Sequence, residues 1–89
     1  MFYFYTDPVE HALGIHFQIT DENSERYNFV VCHDALEHAS AFKGRRRFEF
    51  DYIAAFNGHI ESIHMLAEKM IEAGVRDDPI MITTDLLNR

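Results

Sequence analysis

The segment between Asp51 and Gly74 has the apolar spacing of one long amphipathic helix. Apolar side chains recur there at alternating intervals of three and four residues, at Ile53, Phe56, Ile60, Ile63, Ala67 and Met70. This spacing places them along one face of a helix. Asp51 is expected to cap the helix at its start, and Gly74 stands where many helices end in a left-handed residue. Gly58, on the outer face, should weaken the helix without leaving a packing hole.

Two stretches nearer the N-terminus alternate with a period of two, which is typical of half-buried strands. The apolar positions of one face are Ile15, Phe17 and Ile19 in the first stretch, and Tyr27, Phe29 and Val31 in the second. A polar segment, residues 21–25, separates them. We therefore expect an antiparallel hairpin.

Shorter signals predict the elements around these two features. Residues 2–5 are all aromatic and are expected to form a short strand that ends at Asp7-Pro8. A short helix is expected over residues 35–42, with Asp34 as its N-cap and Glu37 completing a capping box. Lys43-Gly44 would stop that helix.

The segment that joins the two helices, residues 45–49, is expected to be a connector. After a turn at residues 77–79, residues 80–83 have the length and β-branching of a final strand. Thr84 or Asp85 would cap a last helical turn that contains Leu86 and Leu87.

Together these elements predict a single α+β domain over residues 1–89. Its two layers would be a mainly antiparallel sheet of three or four strands and, on one face, a long C-terminal helix with a short helix beside it. The expected order is β-β-β-α-α-β. The pattern leaves the direction of the last strand open.

The net charge of the chain limits the kinds of partner that it is expected to bind. The 89 residues include 15 acidic and 8 basic side chains, a net charge of −7, which argues against general binding to nucleic acid or to an anionic membrane. Cys32 is the single cysteine, so an intrachain disulfide is excluded. The sequence has neither a signal-peptide pattern nor an apolar run of membrane-spanning length, so we expect a cytoplasmic protein.

The histidines and the cysteine do not form a recognisable catalytic or metal-binding pattern, and we expect no cofactor. His59 and His64 point away from each other on a helix. Glu61 and His64 form one Glu-x-x-His motif, whereas di-iron bundles need two such motifs and further carboxylates. Cys32 is adjacent to His33, but neighbouring strand residues face opposite sides, so a buried, inert thiol is favoured.

One basic cluster interrupts the acidic background, at Lys43, Arg45, Arg46 and Arg47. It is a candidate anion or phosphate contact. A run of charges is more often simply solvated, and these arginines have Glu49 and Asp51 as nearby partners in the sequence.

The aromatic start, Phe2, Tyr3, Phe4 and Tyr5, is a candidate interaction surface. An edge strand packs one face on the core, and aromatic side chains on its other face would be available to a partner or a second copy. The alternative is a strand that other parts of the domain cover completely.

The chain also resembles a known family over most of residues 13–87. The resemblance is carried by the end of the second hairpin strand and by the long amphipathic segment and its sequel, at Cys32, Asp34, Ala35, Leu36, Phe56, His59, Ile60, Ile63, Ala67, Lys69, Ile71, Gly74, Ile80, Ile82, Thr83, Asp85 and Leu86. The family is domain of unknown function 1488. The resemblance implies a compact, cytoplasmic α+β protein of bacterial type and transfers no catalytic residue.

The sequence thus favours a non-enzymatic protein-interaction or regulatory module that acts as a homodimer or with another protein. Two alternatives stay open. One is a nucleic-acid-associated regulator that contacts phosphate through the basic cluster, and the other is a small-molecule binder or enzyme with its site at a dimer interface.

Overall fold

A computed structural model describes residues 3–40 and 50–88 of the protein. The described strands are β1 (Phe4–Tyr5), β2 (Val9–His11), β3 (Gly14–Thr20), β4 (Arg26–Cys32) and β5 (Ile80–Ile82). The described helices are α1 (His33–Ala39), α2 (Tyr52–Gly58), α3 (Ile60–Glu72) and α4 (Thr84–Leu87). Phe2, the basic cluster, the predicted helix stop at Lys43-Gly44 and the connector at residues 45–49 lie outside the described residues.

The β3–β4 hairpin is the centre of the sheet, as the alternating pattern predicts. Its antiparallel register runs from Gly14 opposite Cys32 to Thr20 opposite Arg26. On one side, β1 and β2 both pair antiparallel with β3, one behind the other along its length. On the other side, β5 pairs with β4.

The prediction of a mainly antiparallel sheet of three or four strands needs correction. The described sheet has five strands, and β5 runs parallel to β4. A parallel neighbour requires a crossover connection, and the helical part of the chain between β4 and β5 supplies it. The prediction missed β2 because this strand has three residues, all of them exposed.

The prediction of one long helix was wrong, because the segment is divided into α2 and α3. His59 has φ −119° and ψ 19°, outside the helical region. Its amide donates to the carbonyls of both Ala55 and Phe56. Gly58, a poor helix former, is the last residue of α2.

Both predicted ends of this helical segment are confirmed. The carboxylate of Asp51 accepts a hydrogen bond of 3.0 Å from the amide of Ala54, and Gly74 has the positive φ of +87° typical of a residue that follows a helix.

Two other capping predictions were wrong. Helix α1 begins one residue before Asp34, with Cys32 at the N-cap position, so Asp34 lies in the first turn. The helix ends at Ala39, short of the predicted residue 42. The last helix starts at Thr84 after Thr83, so neither Thr84 nor Asp85 is its N-cap.

A single core joins one face of the sheet to the helices. The strands contribute Ile15, Phe17, Ile19, Tyr27, Phe29, Val31, Ile80 and Ile82, and the helices contribute Ala35, Leu36, Phe56, Ile63, Ala67 and Ile71. The amphipathic seam predicted from the sequence is therefore the buried side of α2 and α3. Every buried residue of α1, α2 and α3 belongs to this cluster, and Leu87 of α4 packs against it, so these helices pack on the same face of the sheet.

None of the described helices has the length and apolar character needed to cross a membrane.

The close approach of β3 to β4 at Gly14 gives a test of the fold. A Cβ atom on Gly14 would lie 1.9 Å from the carbonyl oxygen of Val31, a backbone atom held in the central ladder. Gly14→Ala should therefore lower the free energy of unfolding by about 3 kcal/mol or more, measured by urea denaturation.

Gly58→Ala is the matched control, because nothing lies within 4 Å of a Cβ placed there. This change should raise the free energy of unfolding by about 0.5–1 kcal/mol. Equal effects of the two alanines would contradict the described register.

Candidate functional site

The sheet face opposite the described helices is the candidate site, and we call it the uncovered face because none of these helices packs on it. Residues in register share a face, which assigns to it Phe4, Val9, His11, His16, Gln18, Thr20, Arg26, Asn28, Val30, Cys32 and Met81. Val30 is fully buried at its centre, where His16 and Met81 are its neighbours in register. The surrounding side chains are half-buried or exposed.

A hydrogen-bonded network of side chains crosses this face. The amide oxygen of Asn28 lies 3.2 Å from Nε2 of His16 and accepts a bond of 2.7 Å from Gln18. Its amide nitrogen donates to Asp78 at 3.0 Å. Because an amide oxygen only accepts, this arrangement makes Nε2 of His16 the donor. The network links β3, β4 and the segment before β5 in one fixed arrangement.

A groove of about 340 Å³ lies on the uncovered face beside this network. It is lined by Val9, Glu10, His11, His16, Asn28, Asp78 and Pro79. The floor comes from β3 and β4, one wall from β2, and the other wall from Asp78-Pro79. Its surface therefore combines two imidazoles, the carboxylate of Asp78 and the apolar side chains of Val9 and Pro79. Glu10 is in register with Ile15, so its side chain points to the opposite face of the sheet.

The rim of the sheet beside the groove is apolar. Five large apolar side chains are exposed among the described residues, and four of them lie between residues 4 and 13. Phe4 is 68% exposed, Val9 58% and Leu13 57%, with Tyr5 at 38%. The fifth, Met65, lies on α3. We call residues 4–13 the N-terminal edge.

The predicted aromatic surface is divided between the two sides of this edge. Phe4 is on the uncovered face, in register with Thr20. Tyr5 is in register with Ile19 and stacks on the ring of His64, with a centroid distance of 3.8 Å. The hydroxyl of Tyr5 donates to Glu68. Tyr3 is half-buried against the core.

His64 holds the N-terminal edge against α3. Besides Tyr5, it contacts the rings of Phe17 and Phe56, at centroid distances of 5.6 and 6.3 Å. Within the described residues its Nε2 atom is buried and has no hydrogen-bond partner. Burial lowers the pKa of His64, so the neutral imidazole is the form that this packing favours.

The other histidines and the cysteine are not brought together into a metal site. Residues 3–40 and 50–88 contain no group of three or more His, Cys, Asp or Glu side chains that is arranged to hold a metal ion. His59 lies in the break between α2 and α3, away from the inward position of His64. Partial burial raises the pKa of the Cys32 thiol, and the negative charge of Asp34 raises it further.

Sequence reasoning did not identify the residues of the groove. The alternation of the hairpin places His16 and Gln18 opposite the core, and this is the only signal for the network. Asp78 joins the network because β5 pairs in parallel with β4. This pairing places the segment before β5 next to Asn28. The pattern along the chain does not determine that pairing.

Comparisons with protein families, curated proteins and solved structures found no match to this chain. The resemblance to domain of unknown function 1488 therefore stays a hypothesis.

The environment of His64 predicts how stability depends on pH. Because burial lowers the pKa of His64 below the ordinary imidazole value of 6.5, the unfolded chain binds more protons than the folded protein just below that pH. Stability due to His64 should therefore decline as the pH falls below the ordinary imidazole value. His64→Phe should flatten this decline in urea denaturation at a series of pH values.

His38→Gln is the control for this experiment, since His38 is exposed on α1. It removes an exposed imidazole and should leave the decline that is due to His64 in place. A slope that is the same in His64→Phe as in the wild type would contradict the assignment.

The raised pKa of the Cys32 thiol predicts that it reacts slowly with alkylating reagents. At mildly alkaline pH, alkylation by iodoacetamide should be several-fold slower in the folded protein than in urea, because the thiolate is the reacting form. Mass spectrometry reports the rate directly, since Cys32 is the single cysteine. Faster alkylation of the folded protein would show an activated thiol instead.

Proposed function

We propose that the protein is a non-enzymatic interaction module that binds an extended segment of a partner protein along its N-terminal edge. The observation that carries this proposal is the concentration of exposed apolar side chains, four of the five described, between residues 4 and 13. Such concentration on one rim of a small domain is typical of a contact surface.

The position of these residues at the border of the sheet supports an extended ligand. Strands β1 and β2 pair with β3 on one side, and no described strand pairs with their other side. Edge strands accept added strands through backbone hydrogen bonds, while the side chains supply specificity. Phe4 and Val9 would then contact alternate side chains of the bound segment.

The charges around the edge favour a basic segment. Asp7 and Glu10 lie within it and are exposed. Burial raises the pKa of Tyr3, and the negative charges of Glu72, Glu68, Asp21 and Glu22 raise it further. The edge therefore lies in a negative field, which attracts lysine and arginine side chains and repels phosphate.

The same negative field also helps to rank the other possible partners, a second copy of the chain and a nucleic acid. A second copy of the chain would bring the same acidic residues to the interface, so the charge favours a different, basic partner over a homodimer. The nucleic-acid alternative depends on Lys43, Arg45, Arg46 and Arg47, which lie outside the described residues. We therefore place the basic protein segment first.

Selection from a phage library of random linear peptides tests this proposal. Enriched peptides should alternate apolar residues with lysine or arginine. The double variant Phe4→Ser, Val9→Thr should weaken their binding about tenfold, the loss expected when two apolar contacts are removed from a small interface.

Met65→Ser is the matched control, because Met65 is 58% exposed, as is Val9, but lies on α3. It should leave peptide binding unchanged. The proposal fails if no basic peptide is enriched or if the double variant binds as tightly as the wild type. It also fails if light scattering shows a dimer that Phe4→Ser dissociates, because the edge would then bind a second copy.

A further inference from the structure

The groove on the uncovered face is continuous with the N-terminal edge. Val9 belongs to both, since it is exposed on β2 and also lines the groove. A segment bound along the edge would therefore pass the groove opening, and one of its side chains would lie over the floor. This inference rests on the proposed function and concerns what the groove selects.

We propose that the groove binds the side chain of an arginine carried by the partner segment. The carboxylate of Asp78 lines it on the side away from β2, and neither lysine nor arginine is among its lining residues. This charge distribution complements a cation and opposes an anion. The groove is therefore assigned to a positively charged group.

The polar network holds the side chains of the groove floor in fixed positions. Asp78 uses one carboxylate oxygen to accept from Asn28, and a carboxylate has capacity for further donors. Asn28 is held in turn by His16 and Gln18. The floor is thus organised before a ligand arrives, which reduces the ordering cost of binding.

The rings in the groove favour a planar cation. The imidazoles of His11 and His16 have their centroids 6.3 Å apart and their planes 28° from parallel. Nδ1 of His11 accepts from the amide of Leu13 at 3.1 Å, which holds this ring in place. A guanidinium stacks on flat rings and bonds carboxylates with several N–H donors, whereas an ammonium is a compact point charge. Arginine therefore fits better than lysine.

An NMR titration of the full-length, ¹⁵N-labelled protein tests this assignment with three small probes. N-acetyl-arginine methylamide should shift the side-chain amide resonances of Asn28 in a saturable way. The lysine analogue should bind more weakly. The citrulline analogue, which has nearly the same shape but no charge, should cause no saturable shift.

Two variants and a control locate the site. Asp78→Asn should weaken binding of the arginine probe about three- to fivefold, as expected for an exposed ion pair, and His11→Ala, which removes one of the two stacking rings, should weaken it as well. Asp77→Asn should change it less than about twofold, because Asp77 is exposed next to Asp78 but does not line the groove. If the Asp78 variant is poorly folded, the His11 variant still tests the assignment.

The results separate this inference from the proposed function. If the arginine probe binds equally to wild type, His11→Ala and Asp78→Asn, the groove assignment is overturned. The edge proposal survives that result as long as the selected peptides still depend on Phe4 and Val9. If no peptide binds the edge, both the proposed function and the assignment to a partner's arginine fail, even where the free probe binds.

Discussion

The packing of Phe17 between Phe29 and Phe56 determines how the sheet faces the helices. The centroid of Phe17 lies 5.3 Å from that of Phe29 and 5.2 Å from that of Phe56, so one ring joins β3, β4 and α2. All three side chains are fully buried. Because strand side chains alternate between faces, this contact sends His16, Gln18 and Asn28 to the opposite side of the hairpin. The side chains that alternate with the core residues therefore form the uncovered face.

A domain of this size leaves part of its sheet outside the core. The described helices pack on one face, and β1 and β2 extend the sheet on the outer side of β3. Tyr5 and His64 stack beneath this extension, while Phe4 and Val9 remain exposed above it. The same edge is therefore anchored to the core on one side and available to a partner on the other, which the proposed function requires.

The features that could be predicted from the sequence depend on local periodicity. The alternation of residues 15–19 and 27–31 was sufficient to predict the hairpin. The apolar spacing from Ile53 to Met70 was sufficient to predict which side of α2 and α3 is buried. The break at His59 follows Gly58, a local signal to which the prediction gave less weight than to the apolar spacing. The three-residue strand β2 and the parallel direction of β5 depend on pairing between distant segments, and local pattern does not determine them. The groove follows the same rule, since Asp78 reaches Asn28 only through the parallel β4–β5 pairing.

Solvent accessibility of the phenylalanines in the free protein tests the central claim most directly, that this sheet has one covered and one available face. Hydroxyl-radical labelling followed by mass spectrometry measures it residue by residue. We expect rapid labelling of Phe4 and strong protection of Phe17, Phe29 and Phe56, with no change on dilution. Protection of Phe4 equal to that of Phe56 at every protein concentration would show that another part of the chain covers this face, and would contradict the account.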